Sequence, residues 1–275
     1  MKLKRLVQLL IIAVLFQSVS AVAAPAVTIT GLQSTYGLGS SISVTYEVDD
    51  ANGLLDISVV GAKSDIYIRV SRGKQGYNYK VKPEEKAAIP LNMGDGEYNV
   101  KVLLCIAGTK TEVLWSKSLY IQLKDDVMPF LNPSKIIHWT QEMDLVGKAE
   151  ALMVEGDPRA TALAICSFIS EEYTYDYDKA KAMTVLDYVP DLVEIYKGDK
   201  GICYDLATLY AAMCRSVGIP AKLVMGYSPY TGMNIYHAWC LVKIDGEWLQ
   251  VDLVYSINHG SVFLDASKTT EVKVY

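Results

Sequence analysis

Histidine is nearly absent from this chain, with three residues in 275. Two of them, His138 and His259, have no ligand-type neighbours in sequence, and no CxxC, HExxH or EF-hand pattern occurs. The sequence therefore gives no reason to expect a metal site, and no cofactor is implied. Cysteine is also sparse: five residues, an odd number that cannot all pair within one exported chain. Cys105, Cys166, Cys214 and Cys240 read as buried free thiols, small hydrophobes of the core. Basic charge does not predominate. Lys and Arg number 26 against 31 Asp and Glu, for a net charge of −5 and a pI near 5.3. That balance argues against a nucleic-acid partner or an anionic membrane surface. Internal repeats and low-complexity segments are missing too. With 51% hydrophobic and 21% charged residues, the chain has the composition of ordered cores and not of disorder.

What is present falls into three stretches. Lys2, Lys4 and Arg5 precede an apolar run at 6–16, and Ala21-Val22-Ala23 supplies a small-x-small cleavage pattern. Residues 1–23 are expected to be a secretory signal peptide. The run is shorter than the about 20 residues a spanning helix needs, so no stable membrane span is expected after cleavage. Residues 24–124 carry strand signals and little helix. Strands are predicted at 26–30, 41–48, 65–70, 86–91, 97–106 and 112–123, separated by turns such as Asp50-Ala51-Asn52-Gly53 and Gly94-Asp95-Gly96. Short strands at this spacing predict an all-β sandwich of immunoglobulin-like type. It is either a spacer or a module that docks on substrate or cell wall. A linker at Lys124-Asp125-Asp126 leads to a third stretch, 125–275, which mixes helices and strands.

In that last stretch, 144–154 reads as a helix, and Asp157-Pro158 starts a second that runs through Glu171. Tyr173, Tyr175 and Tyr177 then alternate, either lining a cleft or packing in the core. Gly201-Ile202-Cys203 opens a helical pattern with apolar residues at Leu206, Ala207, Tyr210, Ala211, Cys214 and Val217, stopped by Gly218 and Pro220. Cys203 thus stands at the N-terminal end of a core helix, where free N–H groups and the dipole favour a thiolate. Two strands are predicted next, 236–244 and 247–254, joined by the Asp245-Gly246 turn. In that hairpin Ile244 faces Glu247, His237 faces Val254, and Trp239 faces Asp252. His237 and Asp252 are then diagonal neighbours on one face. Cys203, His237 and Asp252 have the side chains of a nucleophile, a general base and acid, and an orienting carboxylate. The competing reading is a buried helical cysteine and a satisfied strand histidine.

This segment resembles the transglutaminase-like superfamily of papain-related cysteine enzymes, in its secreted bacterial form. The likeness rests on Gly201-Ile202-Cys203 with Ala207, Arg215-Ser216-Val217-Gly218-Ile219-Pro220-Ala221, Gly226-Tyr227, His237-Ala238-Trp239 and Gly246-Glu247-Trp248 leading to Asp252. Tyr173-Thr174-Tyr175-Asp176 also looks like that family's approach to the cysteine. The resemblance implies an α+β fold: a papain- or transglutaminase-like C-terminal domain, its core helix packed on an antiparallel sheet, preceded by the sandwich. It implies Cys203 as nucleophile, His237 as base and acid, and Asp252 as orienter. The expected function is a secreted or surface-held cysteine enzyme acting on amide or peptide bonds through a thioester, with cross-linking, deamidation or proteolysis as the outcome. Its partner would be a protein or peptide substrate, or a cell-wall component. The alternative is a non-catalytic member that binds in the same cleft. The family usually has a turn-former soon after the aspartate, where this chain continues Leu253-Val254-Tyr255. No glutamine lies between Glu171 and Cys203 to complete an oxyanion hole, so a second donor is unassigned.

Overall fold

Alternating apolar residues set the first eight strands of this computed structural model, which describes residues 25–183, 188–232 and 235–275. The expected signal peptide, 1–23, lies outside the described residues. The strands are β1 (Val27–Leu32), β2 (Ile42–Asp49), β3 (Leu54–Val60), β4 (Ile66–Arg72), β5 (Gln75–Val81), β6 (Lys86–Pro90), β7 (Gly96–Ala107) and β8 (Lys110–Ile121). They form two four-stranded antiparallel sheets, ordered β1-β2-β3-β6 and β5-β4-β7-β8. Leu55, Ile57 and Val59 of one sheet and Ile68, Val70, Val100 and Val102 of the other point into one core. The period of two along each strand follows from the pleat. At the start of β7 the buried Tyr98 hydroxyl receives the Met93 N–H at 2.9 Å and lies 2.8 Å from the Gly94 carbonyl. Two of these strands, β3 and β5, were not predicted. In β3 the flanking Leu54 and Val60 blur the alternation, and in β5 Tyr77, Tyr79 and Val81 alternate but Gly76 and Asn78 between them are poor strand formers.

The rest of the chain is α+β, as expected. Its elements are α1 (Asp144–Ala151), α2 (Pro158–Glu172), β9 (Thr174–Tyr175), α3 (Tyr177–Ala182), α4 (Leu192–Lys197), β10 (Lys200–Gly201) and α5 (Cys203–Ser216). Then come β11 (Ala221–Ser228), β12 (Ile235–Ile244), β13 (Glu247–Val251), α6 (Leu253–His259) and β14 (Thr270–Val274). The Asp157 side chain caps α2 by accepting the Ala160 N–H at 2.8 Å. A third antiparallel sheet runs β13-β12-β11-β14. Helix α5 packs on it, buried from Asp205 through Arg215, with Cys240 Sγ 3.0 Å from the Ala207 carbonyl. Gly218, at φ +80°, ends the helix where the sequence predicts.

The hairpin needs one correction. Asp245 and Gly246 both take positive φ, as a two-residue turn demands, and Ile244 does pair with Glu247. The second strand, however, stops at Val251 instead of reaching Val254, and Cys240–Val251 is the last pair on that side. The predicted pairs His237–Val254 and Trp239–Asp252 do not form. Asp252 is instead the N-cap of α6, accepting the Val254 and Tyr255 N–H groups at 3.1 and 3.2 Å. An aspartate before a run of helix-compatible residues satisfied those orphan donors at the strand's expense.

The two halves of the chain touch. The Asn92 side-chain amide donates to the Val274 carbonyl at 2.7 Å, and the Lys135 N–H donates to the Ala88 carbonyl at 2.7 Å. The Tyr275 ring packs 5.5 Å from that of Tyr77. The buried Arg215 guanidinium donates to the carbonyls of Ala221, Asn132 and Tyr275, gathering α5, the linker region and the end of β14.

Candidate active site

Cys203 is the first residue of α5, and Gly201 decides how the chain reaches it. A Cβ on Gly201 would sit 2.9 Å from the Asp205 Cβ and 3.2 Å from Leu206. Without a side chain there, Lys200 and Gly201 pair in parallel with Thr174 and Tyr175. The Asp176 N–H donates to the Gly201 carbonyl at 3.0 Å, extending that pairing. A short strand is thereby laid beside the helix N-terminus. The half-buried sulfur of Cys203 lies at the end of α5, where four backbone N–H groups lack intrahelical partners.

His237 and Asp252 come from different elements and meet all the same. The imidazole, only 4% exposed, places Nε2 3.0 Å from Oδ2 of the fully buried Asp252. Oδ1 of the same carboxylate caps α6. The helix therefore fixes the aspartate, and the aspartate fixes the ring and its tautomer. Nδ1 is left for Cys203, whose side chain interacts with the imidazole. Burial works to lower the His237 pKa, but the hydrogen bonds and charges of Asp252 and Cys203 outweigh it and raise the value to about 10. The sulfur lies between a helix N-terminus and the imidazole. The structure thus brings the three residues singled out in the sequence into one site.

Behind the imidazole lies Trp239, fully buried, its ring 6.4 Å from that of His237 and inclined by 26°. Opposite His237 in the sheet is Gly226. A Cβ there would fall 2.0 Å from the Thr270 carbonyl oxygen and 3.0 Å from the Trp239 ring. Glycine at 226, on β11, lets β14 come close on one side and leaves room for the Trp239 ring of the neighbouring β12. Next to Gly226 and His237 in their strands, Tyr227 and Tyr236 pack edge to face at 5.7 Å and are both more than 40% exposed. Nearby in sequence, Tyr255 stacks on His259 at 4.2 Å.

The three alternating tyrosines separate in role. Tyr173 is core, its hydroxyl donating to the Tyr196 carbonyl at 2.9 Å. Tyr177 is 76% exposed and packs edge to face on Tyr175 at 4.9 Å. Tyr175, paired with Gly201 in the short parallel ladder, lies close enough to Cys203 to interact with it. Burial first, and then the charge on Cys203, push its pKa up to about 12, so the phenol keeps its proton.

One residue at the site escaped the sequence reading. Asp205, the third residue of α5, is fully buried and accepts from Lys179 Nζ at 2.5 Å, the Tyr188 hydroxyl at 2.6 Å and the Ile202 N–H at 3.1 Å. It ties α3 and Tyr188 to the helix that carries Cys203. The signal was present, since an acidic residue at the third helical position is half of a capping box.

His138 and His259 take no part in this cluster. His138 lines a groove of about 880 Å³ with Trp139, Lys86 and Pro190, and none of Cys203, His237 and Asp252 borders it. Among the described residues no group of three His, Cys, Asp or Glu side chains is placed to hold a metal ion. Cys166, Cys203, Cys214 and Cys240 are in no disulfide; Cys105 is only part-buried where a buried thiol was expected, and burial pushes up the pKa values of Cys166, Cys214 and Cys240.

Residues 148–253 match the family model described as the transglutaminase-like superfamily. A UPF0252 protein of Methanocaldococcus jannaschii is 27% identical over 157 residues, which is 54% of this chain and 43% of that one. The chain therefore spans less than half the length of that curated relative. Among solved structures, a putative cysteine protease from Cytophaga hutchinsonii aligns with a TM-score of 0.40 and 20% identity, over 56% of this chain and 55% of that one. LapG of Legionella pneumophila aligns with a TM-score of 0.38 and 20% identity, over 47% and 70% of the two chains. Red sea bream transglutaminase aligns with a TM-score of 0.35 and 11% identity, over 78% and 50%. The residues matched by the family model, 148–253, include Cys203, His237 and Asp252.

Proposed function

We propose that the protein is a secreted cysteine enzyme that transfers acyl groups from amide or peptide bonds through a thioester on Cys203. One observation carries this reading: the buried imidazole of His237 is held by the buried carboxylate of Asp252 and interacts with the sulfur at the N-terminus of α5. His237 Nδ1 holds the thiol proton, and the sulfur attacks the carbonyl carbon. The C–N bond then breaks, and the imidazolium gives its proton to the departing amine or ammonia. Water, activated by the now neutral imidazole, hydrolyses the thioester; a primary amine in its place yields a new amide. Asp252 keeps the ring oriented throughout and stabilises its charge.

The substrate class is protein or peptide. The exposed tyrosine pair Tyr227 and Tyr236 suits the flat amide and apolar faces of such a chain. Secretion is supported by the sequence pattern of residues 1–23. The first half is proposed to be an immunoglobulin-like sandwich, supported by its two antiparallel sheets and by the Tyr98 hydroxyl turned back on residues 91–94.

The test is incubation with a glutamine-containing peptide, with and without a primary amine, read by mass spectrometry. Shorter fragments report proteolysis, an intact peptide with its amide turned to acid reports deamidation, and an amine adduct reports transfer. Cys203→Ala should abolish whichever product appears, and undiminished turnover by that variant would overturn the proposal.

A further inference from the structure

We propose that Lys179 is a positioning residue for the nucleophile, acting through the buried carboxylate of Asp205 at the mouth of α5. The proposal rests on the reading of Cys203 as nucleophile and deepens it. Cys203 is the first residue of α5 and Asp205 the third, so about 3 Å of helix rise separates them. The Asp205 side chain also turns back to accept the N–H of Ile202, the residue just before the cysteine, at 3.1 Å. A negative charge is thereby fixed, out of water, beside the turn from which the sulfur must attack as an anion. Left alone, that carboxylate would repel the anion and work against the helix dipole.

Lys179 answers the charge. Its ammonium donates to Asp205 Oδ2 at 2.5 Å and to the Tyr188 hydroxyl at 2.7 Å. Tyr188 closes the triangle by donating to Oδ1 at 2.6 Å. The phenol contributes a hydrogen bond and no charge, because burial and then the Asp205 contact raise its pKa. Among the described residues, Lys179 is the one lysine or arginine paired with this carboxylate. An exposed pair would be worth little, but here the acid is fully buried, and removing its partner strands an uncompensated charge.

The same stretch of chain that approaches the cysteine aims the lysine. Asp176 accepts the Lys179 backbone N–H at 2.9 Å and so starts α3. The Asp176 N–H in turn donates to the Gly201 carbonyl at 3.0 Å. The lysine side chain crosses the Tyr188 ring, its ammonium 4.7 Å from the ring centre. Lys179 therefore brackets the nucleophile. Its backbone is tied through Asp176 to the residue two before Cys203, and its ammonium to the residue two after.

The experiment follows alkylation of Cys203 by iodoacetamide at pH 7 in the full chain, mapped by mass spectrometry. The unfolding midpoint of each variant is measured alongside. Lys179→Met should slow Cys203 by about 10-fold, and Lys179→Arg, which keeps the charge, should stay within about threefold of the parent. The deciding variant combines Lys179→Met with Asp205→Asn. It removes both charges, keeps an acceptor for the Ile202 N–H, and should recover the parent rate within about threefold. A tie that served the fold alone would leave this double variant as slow as Lys179→Met, and that result would overturn the proposal. An undiminished rate in Lys179→Met would overturn it too. Should Lys179→Met not fold, Asp205→Asn alone carries the test: it should label no more slowly than the parent, and a fall of about 10-fold would count against the charge account. Parent Cys203 that labels no faster than Cys166, Cys214 and Cys240 would remove the nucleophile and this inference with it. Fast labelling indifferent to residue 179 would remove this inference alone.

Discussion

His237 Nε2 stands 3.0 Å from Asp252 Oδ2 although no ladder pair joins the residues that carry them. The contact is made by a helix cap. The carboxylate has one oxygen for the imidazole and one for the first turn of α6, so the orientation of the histidine depends on a helix that begins one residue later. Asp252→Asn keeps a capping side chain and removes the charge. We expect stability to stay within about 1 kcal/mol of the parent and thioester formation to fall by about 10²- to 10⁴-fold. Burst kinetics with p-nitrophenyl acetate, paired with a urea melt, check both halves.

The raised pKa of His237 has a stability consequence whose sign is fixed. The folded value, about 10, lies above the ordinary 6.5, so the folded state holds this proton more tightly than the unfolded chain does. The contribution is fully present below about pH 6.5 and is lost as the pH rises through about 10. Urea unfolding of the wild type and of His237→Ala at pH 6, 8 and 10 should show a stability difference that shrinks with rising pH. A difference that grew toward pH 10 would contradict the ion-pair account.

Asp205→Ala should cost about 3 kcal/mol, because it strands Lys179 and Tyr188 beside a buried gap and frees the Ile202 N–H. The loss is expected to be local first. Hydrogen exchange should rise in residues 176–183 before it rises in α5. Uniform exchange across the domain would show that the aspartate is ordinary core and not a tie between α3 and the nucleophile's helix.

Gly226→Ala tests the close approach of β14. The added methyl would meet the Thr270 carbonyl and the Trp239 ring together, and the backbone carbonyl is the harder to move. A destabilisation of about 2 kcal/mol is expected, with protection lost along 270–274 in hydrogen exchange. An unchanged denaturation midpoint would mean that the edge strand gives way at no cost.

Much of this site could be read before any coordinates. The nucleophile's helix was legible because its apolar spacing is regular and Gly218 with Pro220 marks its end. The hairpin turn was legible because Asp245-Gly246 leaves few choices of backbone. The end of β13 was not, since Leu253-Val254-Tyr255 suits a strand as well as a helix and only the capping carboxylate decides. Tyr175 was recognised as a cleft or core residue without its target, because its reach to Cys203 depends on a two-residue parallel pair too short to leave a pattern. Asp205 was missed for a related reason: its partners Lys179 and Tyr188 lie on a different stretch of chain, and only the fold brings them in.

The most direct measurement is mass-mapped alkylation of the intact protein with iodoacetamide at pH 6. The half-buried Cys203, facing an imidazolium, should be modified far faster than Cys105, Cys166, Cys214 or Cys240, and His237→Ala should erase that advantage. Equally slow labelling of all five thiols, or a Cys203 rate indifferent to His237, would contradict the account.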